Sequence, residues 1–272
     1  MPRLAVLGYP VGHSRSPVMQ SAALAELGLG DEWSYEAIEV APDAFEQRVR
    51  AMAGEGFAGA NVTVPHKGAA LALADELSET AREIGAANTL VFTHNGESGE
   101  AEEAVIRAEN TDAEGLLRAL PGPSRDRRAL VLGAGGAARA VVWALLREGA
   151  EVEVWNRTEL RSRHLCEELG GAPVAAPDQS AYELIVNTTA VGLAGEDPFA
   201  ELPLSQDGFA PEQTVVDMVY GGEPTALLRA AEAAGASTVD GIEILVQQGA
   251  LSLEIWTGRP APLDTMRAAA RG

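Results

Sequence analysis

Lysine is nearly missing from this chain: of its 20 basic residues 19 are arginine, and Lys67 is the one lysine. Cysteine is as scarce. Cys166 stands alone, which excludes an internal disulfide and agrees with a reducing compartment. No apolar run approaches the roughly 18 residues of a membrane-spanning helix, so no membrane association is expected. The opening stretch Met1 to Gly8 turns directly into a strand-like pattern too short for a signal-peptide core, and a cytoplasmic protein is expected. Positive charge as a whole is in deficit, with a formal net charge of −20. A field of that sign excludes nucleic acid as a partner. The acidic residues are spread over helix-like segments such as Asp75 to Glu79 and read as a solvated face. His13, His66, His94 and His164 have no metal-ligand spacing, so no metal is expected.

What is present is an α/β pattern. The 272 residues are 46% hydrophobic and 22% charged, enough for one large domain or two modest ones. Short β-like runs alternate with Ala/Leu-rich helical stretches, which predicts a mostly parallel sheet. Strands are expected at Leu4–Gly8, Trp33–Val40 and Ala58–Val64, with helices at 17–27, 43–53 and 67–75 between and after them. Thr89–Thr93 and Ala104–Arg107 read as two strands joined by an acidic turn, "HNGESGEAEE", in solvent. The Pro/Gly-rich stretch "LPGPSRDRR", 120–128, is a loop or linker. Further strands are expected at Ala129–Gly133, Leu184–Asn187 and Val215–Met218, and closing helices at Ile242–Trp256 and Leu263–Ala270.

"GAGGAA", 133–138, follows an apolar strand and opens a helix, the context that a dinucleotide-binding turn requires. Gly133 allows the tight turn, Gly135 a close approach of backbone to pyrophosphate, and Ala138 close helix packing, with the helix N-terminus facing the phosphates. The next strand ends at Asn156-Arg157-Thr158, with Arg161 and Arg163 behind. NAD sites place Asp or Glu there for the ribose 2′-hydroxyl. Arginine instead suits a 2′-phosphate, so NADP is the expected cofactor, against the plainer reading that these arginines solvate a helix start.

Three other stretches gather polar groups at strand ends. "GYPVGHSRSP" holds Ser14 and Ser16, suited to a carboxylate or to ring hydroxyls, although Ser16 equally suits an N-cap for a helix starting at Pro17. "GANVTVPHKG" holds Asn61, Thr63 and Lys67. "GAANTL" and "ENTDAEG" hold Asn88, Thr89, Asn110, Thr111 and Asp112, fit either for a polyhydroxylated ligand or for ordinary turns.

Together these stretches resemble the shikimate dehydrogenase family, through "GYPVGHSRSP", "GANVTVPHK", "AANTL", "NTDAEG", "GAGGAAR", "NRT", "DMVYGGEPT" and "DGIEILVQQGA", in family order from residue 8 to about 250. The resemblance implies two domains, an N-terminal open α/β substrate domain (1–114, completed by helices in 241–272) and a Rossmann-type NADP domain (115–240). It implies NADPH-dependent, reversible reduction of 3-dehydroshikimate to shikimate, a step towards aromatic amino acids, by a monomer or homodimer. Carried over by position, Lys67 and Asp112 match the catalytic pair. Ser14, Ser16, Thr63, Asn88, Tyr220 and Gln248 match the substrate ligands. Gly133, Ala134, Gly135, Gly136 and Ala137 match the pyrophosphate loop, Asn156, Arg157, Thr158 and Arg161 the 2′-phosphate turn, and Met218 and Gly241 the nicotinamide-side wall. The chain departs from the family pattern at Gln20-Ser21, at Ala108 and in its longer acidic hairpin.

The chemistry gives the single lysine a reason. When hydride reaches a carbonyl carbon, the oxygen needs a proton, and an ammonium both stabilises the charge and donates one. A guanidinium does only the first. Two other readings compete: a quinate or dual quinate/shikimate dehydrogenase, and a non-catalytic NADP-binding regulatory protein, which would not need the Lys/Asp pair.

Overall fold

The computed structural model describes residues 1–93 and 104–272, so the acidic turn expected at 94–103 lies outside the described residues. The chain forms two compact units, Met1–Thr111 with Val246–Gly272, and Asp112–Leu245. Among the described residues no helix is long and apolar enough to cross a membrane.

The first unit contains β1 (Arg3–Gly8), α1 (Ser16–Glu26), β2 (Ser34–Glu39), α2 (Phe45–Gly54), β3 (Phe57–Val62), α3 (Lys67–Leu73), β4 (Glu76–Leu77), α4 (Glu79–Ile84), β5 (Thr89–Thr93) and β6 (Val105–Glu109). Its sheet order is β2-β1-β3-β5-β6-β4. Pairing is parallel from β2 to β3, whereas β5 runs antiparallel to both neighbours. The sheet is therefore mixed, because β5 runs against both its neighbours while β4 pairs parallel with β6. Phe45, Val49 and Met52 of α2 pack with Phe57, Leu90 and Ile106 in a buried core.

Asp75–Glu79, expected to be helix-like, is a correction. The Asp75 carboxylate accepts from the Ile106 amide at 2.8 Å, and Glu76 and Leu77 pair with Arg107 and Ala108. Ser78 then caps α4 by accepting from the Ala81 amide at 3.1 Å. An edge strand and a cap outcompete helix here, because Asp and Ser bond backbone more readily than they continue a helix.

The second unit begins with α5 (Asp112–Ala119) and continues through β7 (Arg128–Leu132), α6 (Gly136–Glu148), β8 (Glu151–Trp155), α7 (Glu159–Leu169), β9 (Ala172–Pro173), β10 (Leu184–Asn187), α8 (Pro198–Glu201), β11 (Thr214–Asp217), α9 (Ala226–Ala233) and β12 (Ser237–Val239). Its strands are all parallel in the order β12-β11-β10-β7-β8-β9. Counted from β7, that is the doubly wound order, with the chain reversing direction between β7 and β10. The run 120–128 is a loop inside this unit, since Leu116 and Leu120 on one side and Val131 on the other share one core. The last helices are α10 (Gly241–Thr257), which starts in the second unit and ends in the first, and α11 (Leu263–Arg271).

Candidate active site

In the first unit, β1 and β3 lie side by side while their crossovers leave in opposite directions, so a crevice opens beyond their C-terminal ends. Both loops that carry polar candidates start there. The chain leaving β3 is tied to β1 by the Thr63 amide donating to Leu7 O at 2.8 Å, and Tyr9 N donates back to Val64 O at 3.0 Å. Gly8 is required at this approach: a β-carbon there would lie 2.6 Å from Thr63 Cγ2. Lys67 is the first residue of α3, half-buried, and its carbonyl accepts from Ala87 N at 2.9 Å. Its neighbour His66 is buried, with Nε2 2.7 Å from Val40 O and the ring stacked on Phe45 at 4.3 Å.

Ser16 does not cap α1. It is the first helical residue, and the Ser14 hydroxyl accepts from its amide at 3.2 Å. The hydroxyl that meets the helix start is thus Ser14's, two residues earlier, because Pro17 already stands inside the first turn. Gln20, where the chain departs from the family pattern, is buried and donates to Gly249 O at 2.9 Å.

Antiparallel β5 brings Asn88 and Thr89 to the sheet edge where β3 and β6 end, since Asn61 pairs with Thr89 and Thr89 with Glu109. A buried polar network results. Asn88 Oδ1 accepts from the Thr111 amide at 2.7 Å, and Asn88 Nδ2 donates to Thr111 Oγ1 at 2.9 Å and to Gln248 Oε1 at 3.1 Å. Ser252 Oγ accepts from Asn61 Nδ2 at 2.9 Å, lies 2.8 Å from Thr89 Oγ1 and 3.1 Å from Thr111 Oγ1, and donates to Gln248 O at 3.0 Å. Tyr35 OH completes the chain by donating to Asn61 Oδ1 at 2.8 Å. Sequence reasoning missed Tyr35 and Ser252. The spacing of Ser252 four residues after Gln248 on one helix was the available signal for the latter.

In the second unit the glycine-rich turn leaves β7 at the strand reversal. Gly133 has φ +114°, and a β-carbon on it would lie 2.5 Å from Thr188 Oγ1 at the end of β10. Only glycine meets both conditions. Gly135 precedes α6, whose start has no side-chain cap, and space is open where a Gly135 β-carbon would stand. Ala134, Gly136 and Ala137 are half-buried around it, and Ala138 is fully buried. Uncapped amides on a 13-residue helix beside a bare glycine fit a pyrophosphate.

Asn156, Arg157 and Thr158 follow β8, with Asn156 Nδ2 donating to Thr158 O at 2.8 Å. Arg157 and Arg161 are exposed. A cleft of about 470 Å³ is lined by Trp155, Asn156, Arg157, Thr189, Glu196 and Glu201 among others. The two glutamates were not legible as site residues, because they lie some 40 positions beyond the arginine.

A second cleft of about 260 Å³, lined in part by Val191, Glu196 and Thr225, contains Tyr220. Tyr220 thus belongs to the second unit, and the other substrate-binding candidates to the first. Asp217, at the end of β11, is buried and accepts from Asn187 Nδ2 at 2.9 Å, Val219 N at 3.1 Å and Thr225 Oγ1 at 2.6 Å. Burial pushes its carboxyl up, and those donors pull it part-way back. Met218 follows directly, and Gly241 is pressed to it: a β-carbon there would lie 2.6 Å from Met218 O. Among the described residues no group of three or more His, Cys, Asp or Glu side chains could hold a metal ion.

Family descriptions match along the chain: the shikimate dehydrogenase substrate binding domain over residues 6–90, shikimate / quinate 5-dehydrogenase over 116–191, and the shikimate 5′-dehydrogenase C-terminal domain over 241–271. A curated NADP(+) shikimate dehydrogenase of Anaeromyxobacter sp. (strain K) is 45% identical, over 94% of this chain and 91% of its own. The chain belongs to the shikimate dehydrogenase family. The solved shikimate 5-dehydrogenase of Thermus thermophilus, in complex with NADP(H) and shikimate, is 43% identical with a TM-score of 0.87, covering 100% of this chain and 99% of that one. The shikimate dehydrogenase of Aquifex aeolicus has a TM-score of 0.90 at 36% identity, covering 100% and 98%. The resemblance read from the motifs is therefore met, and these shikimate dehydrogenase relatives do not favour the quinate alternative.

Proposed function

We propose that the chain is an NADP-dependent shikimate dehydrogenase that reversibly reduces 3-dehydroshikimate to shikimate in the cytoplasm, acting as a monomer or homodimer. The observation that carries this reading is that the strand order reverses in each unit at a point where loops with candidate residues leave the sheet. The loops that carry Ser14, Thr63 and Lys67 leave the ends of β1 and β3, and the bare glycine turn leaves β7 beside β10. The relative from Thermus thermophilus, solved with NADP(H) and shikimate, supports the pairing of ligands.

In this reading the first unit is the substrate domain. Ser14 and Ser16 take the carboxylate, and Thr63, Asn88 and Gln248, with Tyr220 of the second unit, bond the carboxylate or hydroxyls. The second unit is the cofactor domain. Gly133 to Ala137 and the first amides of α6 hold the pyrophosphate, Asn156 to Thr158 and Arg161 the 2′-phosphate, and Met218 and Gly241 flank the nicotinamide. NADPH, when bound, supplies the hydride. Lys67 stabilises the developing alkoxide and donates its proton, and Asp112 orients the ammonium; in the reverse direction neutral Lys67 accepts the alcohol's proton. Help of this kind is worth about 10²–10⁴-fold in rate.

The test is a direct assay of purified protein with shikimate and quinate, each with NADP⁺ and NAD⁺. The reading requires turnover of shikimate with NADP⁺ well above the other three combinations. Comparable turnover of quinate would replace it with the dual-substrate reading, and no turnover of either would favour the regulatory one.

A further inference from the structure

The cleft at the end of β8 has an unusual balance of charge for a site that takes a phosphate. Its lining contributes one cation, Arg157, and two carboxylates, Glu196 and Glu201. The two carboxylates are engaged differently. Glu196 turns onto its own loop, with Oε2 accepting from Gly192 N at 3.0 Å and Ala194 N at 3.1 Å, and amides including its own hold its carboxyl below the usual range. Glu201 faces Arg157, with Oε2 3.8 Å from Nη1. Its carrier is firmly planted although the side chain is half in solvent. Asp197 caps α8 by accepting from Phe199 N at 3.0 Å, Leu202 is buried and donates to Pro198 O at 2.8 Å, and Phe199 packs edge-on against Phe209.

We propose that Glu201 is a cofactor-specificity residue: it competes with the ligand's 2′-phosphate for Arg157, and so limits the preference for NADPH over NADH. This rests on the assignment of the 2′-phosphate to Arg157 made above. In NAD sites a carboxylate at the strand end accepts from the ribose 2′-hydroxyl. Here the strand end is Asn156, and the carboxylate approaches from α8 on the other side of the cleft. A dianionic phosphate entering between Arg157 and Glu201 must displace the carboxylate and then feel its repulsion. A neutral hydroxyl does neither. Arg157 is 85% exposed, so the competition is screened by water and by salt, and its size belongs to the exposed-pair range.

The experiment measures binding rather than turnover. Adenosine 2′,5′-bisphosphate and 5′-AMP, which differ by the 2′-phosphate, are titrated calorimetrically into the full chain, wild type and E201Q, R157A and the double variant, with the exposed remote E212Q as a net-charge control. E201Q is expected to tighten the bisphosphate about two- to fivefold at low salt, with AMP unchanged. The gain is expected to shrink at about 0.5 M salt and to vanish in the R157A background. Equal tightening of both ligands, the same gain in E212Q, no gain, or a gain that survives R157A would each overturn the role of Glu201. If R157A itself keeps the full preference for the bisphosphate, the 2′-phosphate assignment falls, and the inference with it.

Discussion

Asn88 and Gln248 are 160 positions apart, yet Asn88 Nδ2 donates to Gln248 Oε1 at 3.1 Å in the buried floor of the first unit. The amide orientation of Asn88 follows from its other end. Oδ1 meets the Thr111 amide, a group that can only donate. Truncating Asn88 would take the side-chain acceptor from the buried Thr111 amide and remove one donor to Gln248 Oε1. Asn88→Ala is expected to lower the urea-unfolding free energy by about 1–3 kcal/mol for an orphaned buried polar group. A variant as stable as the wild type would show that the network carries no stability.

Lys67→Arg keeps a positive charge at the start of α3 but removes a transferable proton. Turnover is expected to fall by about 10²-fold or more, with cofactor affinity, read by fluorescence quenching, unchanged. Near-normal turnover would rule out proton transfer by Lys67.

Gly133 combines a left-handed backbone with a Thr188 oxygen where a β-carbon would go. Gly133→Ala therefore strains the turn by about 1–3 kcal/mol, and both thermal stability and binding of adenosine 2′,5′-bisphosphate are expected to drop. Gly135→Ala meets open space in the protein itself. It should leave stability intact and weaken only the ligand, and equal losses in the two variants would contradict this division.

Burial pushes the His66 imidazole below its usual range, only partly offset by the Val40 carbonyl. The unfolded chain, with a histidine near pKa 6.5, then binds more protons than the folded one just below that pH. The His66 contribution is present above about pH 6.5 and is lost as pH falls through the folded value. Urea midpoints measured from about pH 7.5 down to about pH 5 should fall more steeply for the wild type than for His66→Gln. Parallel slopes would contradict it.

Much of the chain could be read without its tertiary structure. The alternation of apolar runs with Ala/Leu-rich segments located β1, α1, β3, β7, β10 and the last two helices to within a few residues, because each follows a local period. The glycines of 133–136, the lone Lys67 and the arginines after Asn156 stood out because their chemistry resides in their own side chains or backbone. The convergence of Asn61, Asn88, Thr111, Gln248 and Ser252 did not stand out, since hydrogen bonds between residues 23 to 191 positions apart depend on β5 running antiparallel. Asp75–Glu79 misled for a related reason: an edge strand next to β6 was available, and local propensity cannot register a partner elsewhere in the chain. Glu201 belongs to the same class. Its sequence neighbours mark it as one acidic residue among 40 Asp and Glu, and only the fold brings it within 3.8 Å of Arg157, where Coulomb interaction depends on distance rather than on order along the chain.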